Sequence, residues 1–305
     1  MEVIRTRKQF IEKNFRQESL RKIELANSII DGYTRQGFSL TLRQLYYQLV
    51  ARDLIPNRQT EYDKLSALLS DARRAGLIDW DAIEDRTRYL RGFRHYGSPG
   101  EAVEAAAHGY GIDLWDGQEK YLEAWVEKDA LIDILRTACQ PYDVPYFSCR
   151  GYTSDSELYK AGRRMQWYVE HGRKPVILHL GDHDPSGIDM SRDILQRLEL
   201  FGEIPGMVDF HRIALNMDQV EQYNPPPNPA KETDSRHDGY VEKYGTSSWE
   251  LDALEPQVLV ELIQENIRAH LDGLRFQDRQ RQEREEKQML LNVAERWDRI
   301  AAMFA

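Results

Sequence analysis

Cysteine is scarce in this chain. Cys139 and Cys149 are the only two in 305 residues, too few for a disulfide framework, and their position on either side of a helix-to-strand connection suits reduced, buried thiols. Long apolar runs are also missing: no window approaches the roughly 18 consecutive apolar residues of a membrane helix. The charged start, MEVIRTRKQF, lacks the apolar centre of a secretory signal. No membrane partner is therefore expected, and the expected location is cytoplasmic. No GxxxxGK[ST], HExxH or paired Cys/His spacing occurs, which argues against a P-loop ATPase or a zinc enzyme.

Positive charge is lacking overall, with a net charge of −10, and this at first argues against a nucleic-acid partner. Divided near Gly97, the chain reads differently. Residues 1–97 hold 18 Lys and Arg against 13 Asp and Glu, and the remainder holds 23 against 38. A basic front can hold phosphates, whereas the acidic remainder repels DNA unless bound divalent metal neutralises some of its carboxylates. What the chain has in quantity is core-forming material. Its 41% hydrophobic content, six Trp and nine Phe suffice for two modest domains.

The apolar pattern changes period along the chain. Helical spacing predicts a supporting helix from about Thr6 to Asp31. A second helix begins at Thr41, where Thr41 and Gln44 have capping-box spacing, and a third begins at a further cap, Thr60, and stops at Gly76. In the third, Tyr62, Leu65, Leu69 and Ala72 share one face, while Lys64, Arg73 and Arg74 lie outside it as candidate DNA contacts. Strand-like pieces in LIDWDAIEDRTRYL predict a wing, so residues 1–97 read as a winged helix-turn-helix domain. From about 118 to 256, apolar runs at 121–127, 144–149, 175–182 and 210–215 alternate with helices, the signature of a Rossmann-like parallel sheet. The proline-rich YNPPPNPAKETDSR is expected to be a loop, and 257–305 a C-terminal charged helical region. The fold class is α/β.

The most specific motif is LGDHDPSG at 180–187, directly after a predicted buried strand. In extended backbone, residues two apart project to one side, so Asp182 and Asp184 are placed to hold one hard cation. Glu127 ends another strand in AWVEKDAL, and ligands of open parallel sheets sit at the carboxyl ends of strands. His179 and His183 flank this site. His179 reads as core and His183 as a hydrogen-bonding neighbour, since magnesium prefers oxygen. Lys231, Asp234 and Arg236 read as solvated loop residues.

These residues resemble the Toprim domain, the metal-binding fold of topoisomerases, primases and several nucleases, in having one Glu after the first strand and Asp-x-Asp after the third. VEKDAL, GYTSD and GDHDPSG are similar to one branch, the topoisomerase VI A subunit and its meiotic double-strand-break relatives. That branch reads Asp-x-Asp-Pro-aromatic-Gly, and here Ser186 replaces the aromatic. WELDALEP at 249–256 resembles the acidic segment that follows the Toprim core, so the resemblance spans roughly residues 38–256. It implies magnesium held by Glu127, Asp182 and Asp184, and double-stranded DNA as partner. It also implies a homodimer in which the tyrosine domain of one subunit addresses the Toprim site of the other. Any ATP dependence requires a separate ATPase subunit.

TLRQLYYQLV at 41–50 resembles the family segment that carries a DNA-attacking tyrosine in an Arg-x-x-x-Tyr arrangement. At about 100° per residue, Leu42, Leu45, Tyr46, Leu49 and Val50 cluster on one helical face, with Arg43 and Tyr47 together on its flank. Tyr46 is expected in the core. Tyr47 is expected to present its hydroxyl outward as nucleophile, with Arg43 binding the attacked phosphate. A phenol with pKa near 10 needs a base or a cation, and Glu127 is placed to act as ligand, proton acceptor or both. The expected function is magnesium-dependent DNA cleavage by transesterification. One alternative is a Toprim nuclease that uses metal-activated water, and the other a non-catalytic DNA-binding protein.

Overall fold

A computed structural model of the chain describes residues 7–84 and 92–303. Three helices open the fold: α1 (Gln17–Arg35), α2 (Leu42–Ala51) and α3 (Gln59–Arg74). The capping box of α2 is present, with Thr41 accepting from the Gln44 N–H and Gln44 accepting from the Thr41 N–H at 2.9 Å. The three expected helices and the buried Leu65, Leu69 and Ala72 face of the third are present, and three other expectations for this region need correction. Residues 7–16 are not helical; the backbone of Phe10 and Ile11 donates instead to the Arg74 carbonyl. Thr60 lies inside α3 and caps nothing. The α2–α3 turn is held by the Tyr46 hydroxyl, which accepts from the Arg58 N–H at 2.8 Å and lies 3.1 Å from the Asn57 side-chain oxygen. No hairpin forms over 77–84, where Leu40 makes a single parallel bridge with Ile83, and the rest of the expected wing, 85–91, lies outside the described residues. Ile23, Ile30, Leu45, Leu49, Leu65, Leu69 and Ile78 form the core of this front unit.

After α4 (Pro99–Gly109), strands and helices alternate: β1 (Lys120–Val126), α5 (Ile132–Cys139), β2 (Tyr146–Ser148), α6 (Asp155–Glu170), β3 (Lys174–Leu180), α7 (Pro185–Gly202), β4 (Asp209–Ala214) and α8 (Met217–Tyr223). The sheet is wholly parallel in the order β2-β1-β3-β4, as the alternation predicts. Period-two alternation sends the strand residues to two cores. Leu122, Ala124, Val126, Val176, Leu178 and Leu180 pack on α5, while Tyr121, Trp125 and Ile177 pack on α6 and α7. Glu123 is buried among the second set and fully satisfied, accepting from Tyr121, Trp125 and both nitrogens of an Arg164 fork. Helices α6 and α7 cross at Gly162 and Gly202, so closely that a Cβ on Gly162 would sit 2.7 Å from the Gly202 nitrogen.

The proline-rich segment 223–236 is a loop after the end of α8, as expected, apart from one two-residue strand. β5 (Asn228–Pro229) pairs antiparallel with β6 (Ser247–Ser248), and α9 (His237–Tyr244) lies between them. The chain ends in α10 (Pro256–Ala269), α11 (Gly273–Glu295) and α12 (Trp297–Ala301). The boundary expected at 256 cuts through a core, because Leu259, Val260, Ile263 and Ile267 of α10 join the core on the α5 face of the sheet, packing against α5 and β4. Residues 97–118 are likewise no open linker. α4 lies along the charged α11, tied by Tyr110 to Glu286 (2.5 Å) and by the Ile112 N–H to Glu283 (3.0 Å). Within α11, Phe276 alone is buried. No helix among the described residues is long and apolar enough to cross a membrane.

Candidate active site at the carboxyl edge of the sheet

The direction of chain progression reverses between β1 and β3: β2 lies on one side of β1, and β3 and β4 on the other. Such a switch point opens a crevice at the carboxyl ends of the strands. Glu127 follows β1 and donates its N–H to the Leu180 carbonyl at 2.8 Å, and Asp182 follows β3. Glu127 Oε2 accepts from the Asp182 N–H at 2.9 Å. Asp184 is the N-cap of α7, and its Oδ1 accepts from the Gly187 N–H at 2.6 Å. Glu127, Asp182 and Asp184 all line one cleft of about 410 Å³, together with Arg43, Asn57, Lys128, Ser186, Lys231 and Glu250.

The loop 181–187 is held from below. Arg212 on β4 donates to the carbonyls of Gly181 (2.9 Å), Asp182 (2.6 Å) and Gly187 (3.0 Å) and to the Ser191 hydroxyl (2.7 Å). It is held from the side as well, because His183 and Trp249 exchange two backbone bonds at 2.8 and 2.9 Å. That pairing brings in the acidic segment 249–256. The Leu251 N–H donates to Asp182 Oδ1 at 2.8 Å, and Glu250 and Asp252 reach the cluster. Lys128 Nζ stands among them, 3.0 Å from Asp182, 2.7 Å from Glu250 and 2.8 Å from Asp252.

Charge in this cluster is unbalanced. Five carboxylates, those of Glu127, Asp182, Asp184, Glu250 and Asp252, face Lys128, Arg43, Arg212 and the rim residue Lys231. Burial raises the Glu127 carboxyl above its ordinary range. Asp182 is pushed up as well, by burial and by Glu127, Asp252 and Glu250, against the pull of Lys128. The surrounding carboxylates outweigh the effect of burial on Lys128 and keep it charged.

These residues fit a hard divalent cation by three tests. Their donors are all oxygen. Gly181 and Gly187 leave space beside Glu127, since a Cβ at either would sit 3.0–3.1 Å from Glu127 Oε2. Asp252 Oδ2 is buried without a hydrogen-bond partner. The side chains do not yet close on a common point: among the described residues no three His, Cys, Asp or Glu are drawn together at metal-ligand spacing.

Tyr47 differs from expectation. It is 6% exposed, and its hydroxyl faces the protein interior rather than solvent. It accepts from Arg43 Nη2 at 3.2 Å, as the helical spacing predicts, and lies beside Glu250 of the same chain. Burial, then Glu250 and Asp252, raise its pKa far above the phenol range, with Arg43 the opposing influence. Tyr46 is also buried, but its hydroxyl is occupied at the α2–α3 turn, a structural duty that its place in the apolar stripe conceals.

The candidate DNA contacts do not gather at the cleft. Lys64 pairs with Glu61 at 2.7 Å. Arg73 is turned inward onto Trp80, donating to its carbonyl at 2.5 Å and lying 4.8 Å from its ring, so it is not a free phosphate ligand here. Arg74 is exposed. His179 is fully buried against Ser191, and His183 is paired with the Tyr240 hydroxyl at 2.8 Å. Of the loop residues, Lys231 lines the cleft and Arg236 is bound to Asp189 and Asp234.

Sequence reading did not single out Lys128, Arg212, Glu250, Asp252 or Asn57. Lys128 adjoins Glu127 in VEKDAL, and Glu250 and Asp252 lie in the acidic WELDALEP; both motifs were visible without their roles. Nothing local marks Arg212, whose importance comes from four chain-distant bonds. No family model, no curated protein and no solved structure matches this chain.

Proposed function

We propose that the cleft between β1 and β3 is a magnesium-dependent site for cutting double-stranded DNA, with Tyr47 as the attacking group. The observation that carries this reading is one cleft lined by Glu127, Asp182, Asp184 and Arg43, with Tyr47 joined to it through Arg43 and Glu250. Glu127, Asp182 and Asp184 are the residues that would hold the ion. When bound, magnesium supplies positive charge that offsets the negative charge developing on the attacked phosphate. Arg43 supplies further positive charge from the protein, and its guanidinium has the fork geometry that matches phosphate oxygens. Glu250 is held ionised by Lys128, Tyr47 and Arg43 despite its burial, and it lies beside Tyr47, where it can accept the phenolic proton. Loss of that proton leaves a phenolate beside Arg43 that attacks phosphorus to form a phosphotyrosine ester, while the opposite P–O bond breaks and the sugar oxygen leaves as a hydroxyl with a proton taken from water.

A second reading is favoured by one observation, the burial of Tyr47 and the strong upward pressure on its pKa. Hydrolysis by water in the same acidic cleft needs no phenolate, and it leaves Tyr47 as a packing residue beside Arg43. A homodimer and a separate ATPase subunit belong to the resemblance and enter as proposals with it.

A denaturing gel of labelled duplex DNA after incubation with the protein and magnesium tests both readings. Protein covalently trapped on DNA supports transesterification, free cut ends support hydrolysis, and DNA left intact across metals and pH overturns the cleavage proposal.

A further inference from the structure

Lys128 has a setting unlike that of an ordinary salt-bridged lysine. It follows Glu127 directly, its side chain is 19% exposed, and Asp182, Glu250 and Asp252 surround its ammonium at 2.7–3.0 Å. An ammonium has three N–H donors; here it donates to Glu250 and Asp252, and Asp182 faces it as an ion pair. The carboxylates come from separate stretches of chain, the loop after β3 and the segment after β6, and they converge only around this one nitrogen.

Two further details give the position the character of a cation site rather than a surface ion pair. The Asp252 side chain is fully buried, and its second oxygen, Oδ2, has no hydrogen-bond partner. A buried carboxylate oxygen left unsatisfied is destabilising, so hydrogen bonding alone does not account for the placement of Asp252. Asp182 is also shared. Its Oδ2 faces Lys128 and its Oδ1 accepts from the Leu251 N–H at 2.8 Å, while the residue lines the same cleft as Glu127 and Asp184. A carboxylate shared between two cation positions is the usual arrangement of phosphate-processing sites with two metal ions about 3.5–4 Å apart.

We infer that the Lys128 ammonium fills the second cation position of this cleft, so that the chain takes up one divalent ion, beside Glu127, Asp182 and Asp184, where a two-metal site takes two. The inference rests on the metal reading of the site proposed above. It assigns Lys128 a role of position: a fixed positive charge, part of the chain, that lies 5.9 Å from the Tyr47 ring and links the front helices to the acidic edge.

The test counts bound ions and needs no activity. Manganese is titrated into the intact chain and into Lys128→Met and Asp252→Asn variants, with bound ion counted by electron paramagnetic resonance and folding checked by circular dichroism. One ion per chain in the wild type, two in Lys128→Met and one in Asp252→Asn support the inference. Two ions in the wild type, or one in a folded Lys128→Met, overturn it. If Lys128→Met does not fold, Lys128→Gln is counted in its place: two ions support the inference, and one overturns it. Failure of the metal reading has its own signature. If the wild type binds none, that reading falls, and Lys128 keeps its role only if its replacement by Met creates a site for one ion.

Discussion

Arg43 and Tyr47, one helical turn apart on α2, meet at 3.2 Å, and Glu250 from the acidic segment at the carboxyl edge of the sheet lies beside both, 4.0 Å from the guanidinium. The front helices and the acidic edge are thus joined within a single chain. In the family that the motifs resemble, the tyrosine serves the site of another subunit. Here Tyr47 already faces the acidic segment of its own chain, and an exchange between subunits requires the Tyr47–Glu250 contact to open first.

The first prediction turns on that hydroxyl. Tyr47→Phe keeps the ring and deletes the oxygen, so packing changes little. Under the transesterase reading it abolishes cleavage and covalent adduct while DNA binding persists, and Arg43→Ala behaves likewise. Cutting at the parental rate by Tyr47→Phe would leave the water-driven nuclease as the surviving reading. Tyr46→Phe is not a silent control, because it removes the hydroxyl that holds the Arg58 N–H. It is expected to lower stability by about 1–2 kcal/mol in urea titrations, with cleavage per folded molecule unchanged.

Asp184→Asn is the cleanest test of the metal ligands. Asparagine is as good an N-cap as aspartate, so α7 keeps its Gly187 bond and the fold survives. The lost negative charge should weaken manganese or magnesium binding at least tenfold by calorimetry and remove cleavage. Metal affinity equal to the wild type would exclude Asp184 from the site. Asp182→Asn is less informative, since it also unpairs Lys128.

Stability of the α/β unit depends on the crossing of α6 and α7. Gly162→Ala places a methyl 2.7 Å from the Gly202 nitrogen and 2.8 Å from the Leu198 carbonyl, both backbone atoms that cannot swing aside. Separating the helices should cost about 3 kcal/mol, read as a lower urea midpoint with little change in slope. A wild-type midpoint would mean that the crossing is looser than described.

Acid should weaken the fold through His179. Burial, with Arg212 adding to it, depresses its pKa from 6.5 to about 3, so the folded state refuses a proton that the unfolded chain accepts. This stability is fully present above pH 6.5 and is lost progressively as pH falls toward 3, amounting to about 2 kcal/mol by pH 5. Urea titrations at pH 7.5, 6 and 5 measure it. His179→Gln should show a shallower decline, and an equal decline would place the acid sensitivity elsewhere.

The sequence alone carried the alternation that makes a parallel α/β sheet, the capping box at Thr41, and the placement of Glu127 and the Asp182/Asp184 pair at strand ends. All of these depend on spacing along a few consecutive residues, where backbone geometry dictates which side chains share a face. The third helix's start was misread because its turn is closed by Tyr46, twelve residues before Arg58, rather than by a local cap. Tyr47 was placed on the correct flank, but a helical wheel shows which direction a side chain faces and not what fills that direction; the acidic segment 249–252 fills it. The edge of the sheet unit does not fall at 256, because the apolar stripe of α10 names no partner until α5 and β4 are beside it. Lys128 and Arg212 became visible only in three dimensions, since each draws its meaning from oxygens that lie far away in the chain: three carboxylates around one ammonium, and a row of loop carbonyls around one guanidinium. Local spacing determined which residues could face the cleft, and long-range packing decided which charges stand beside them.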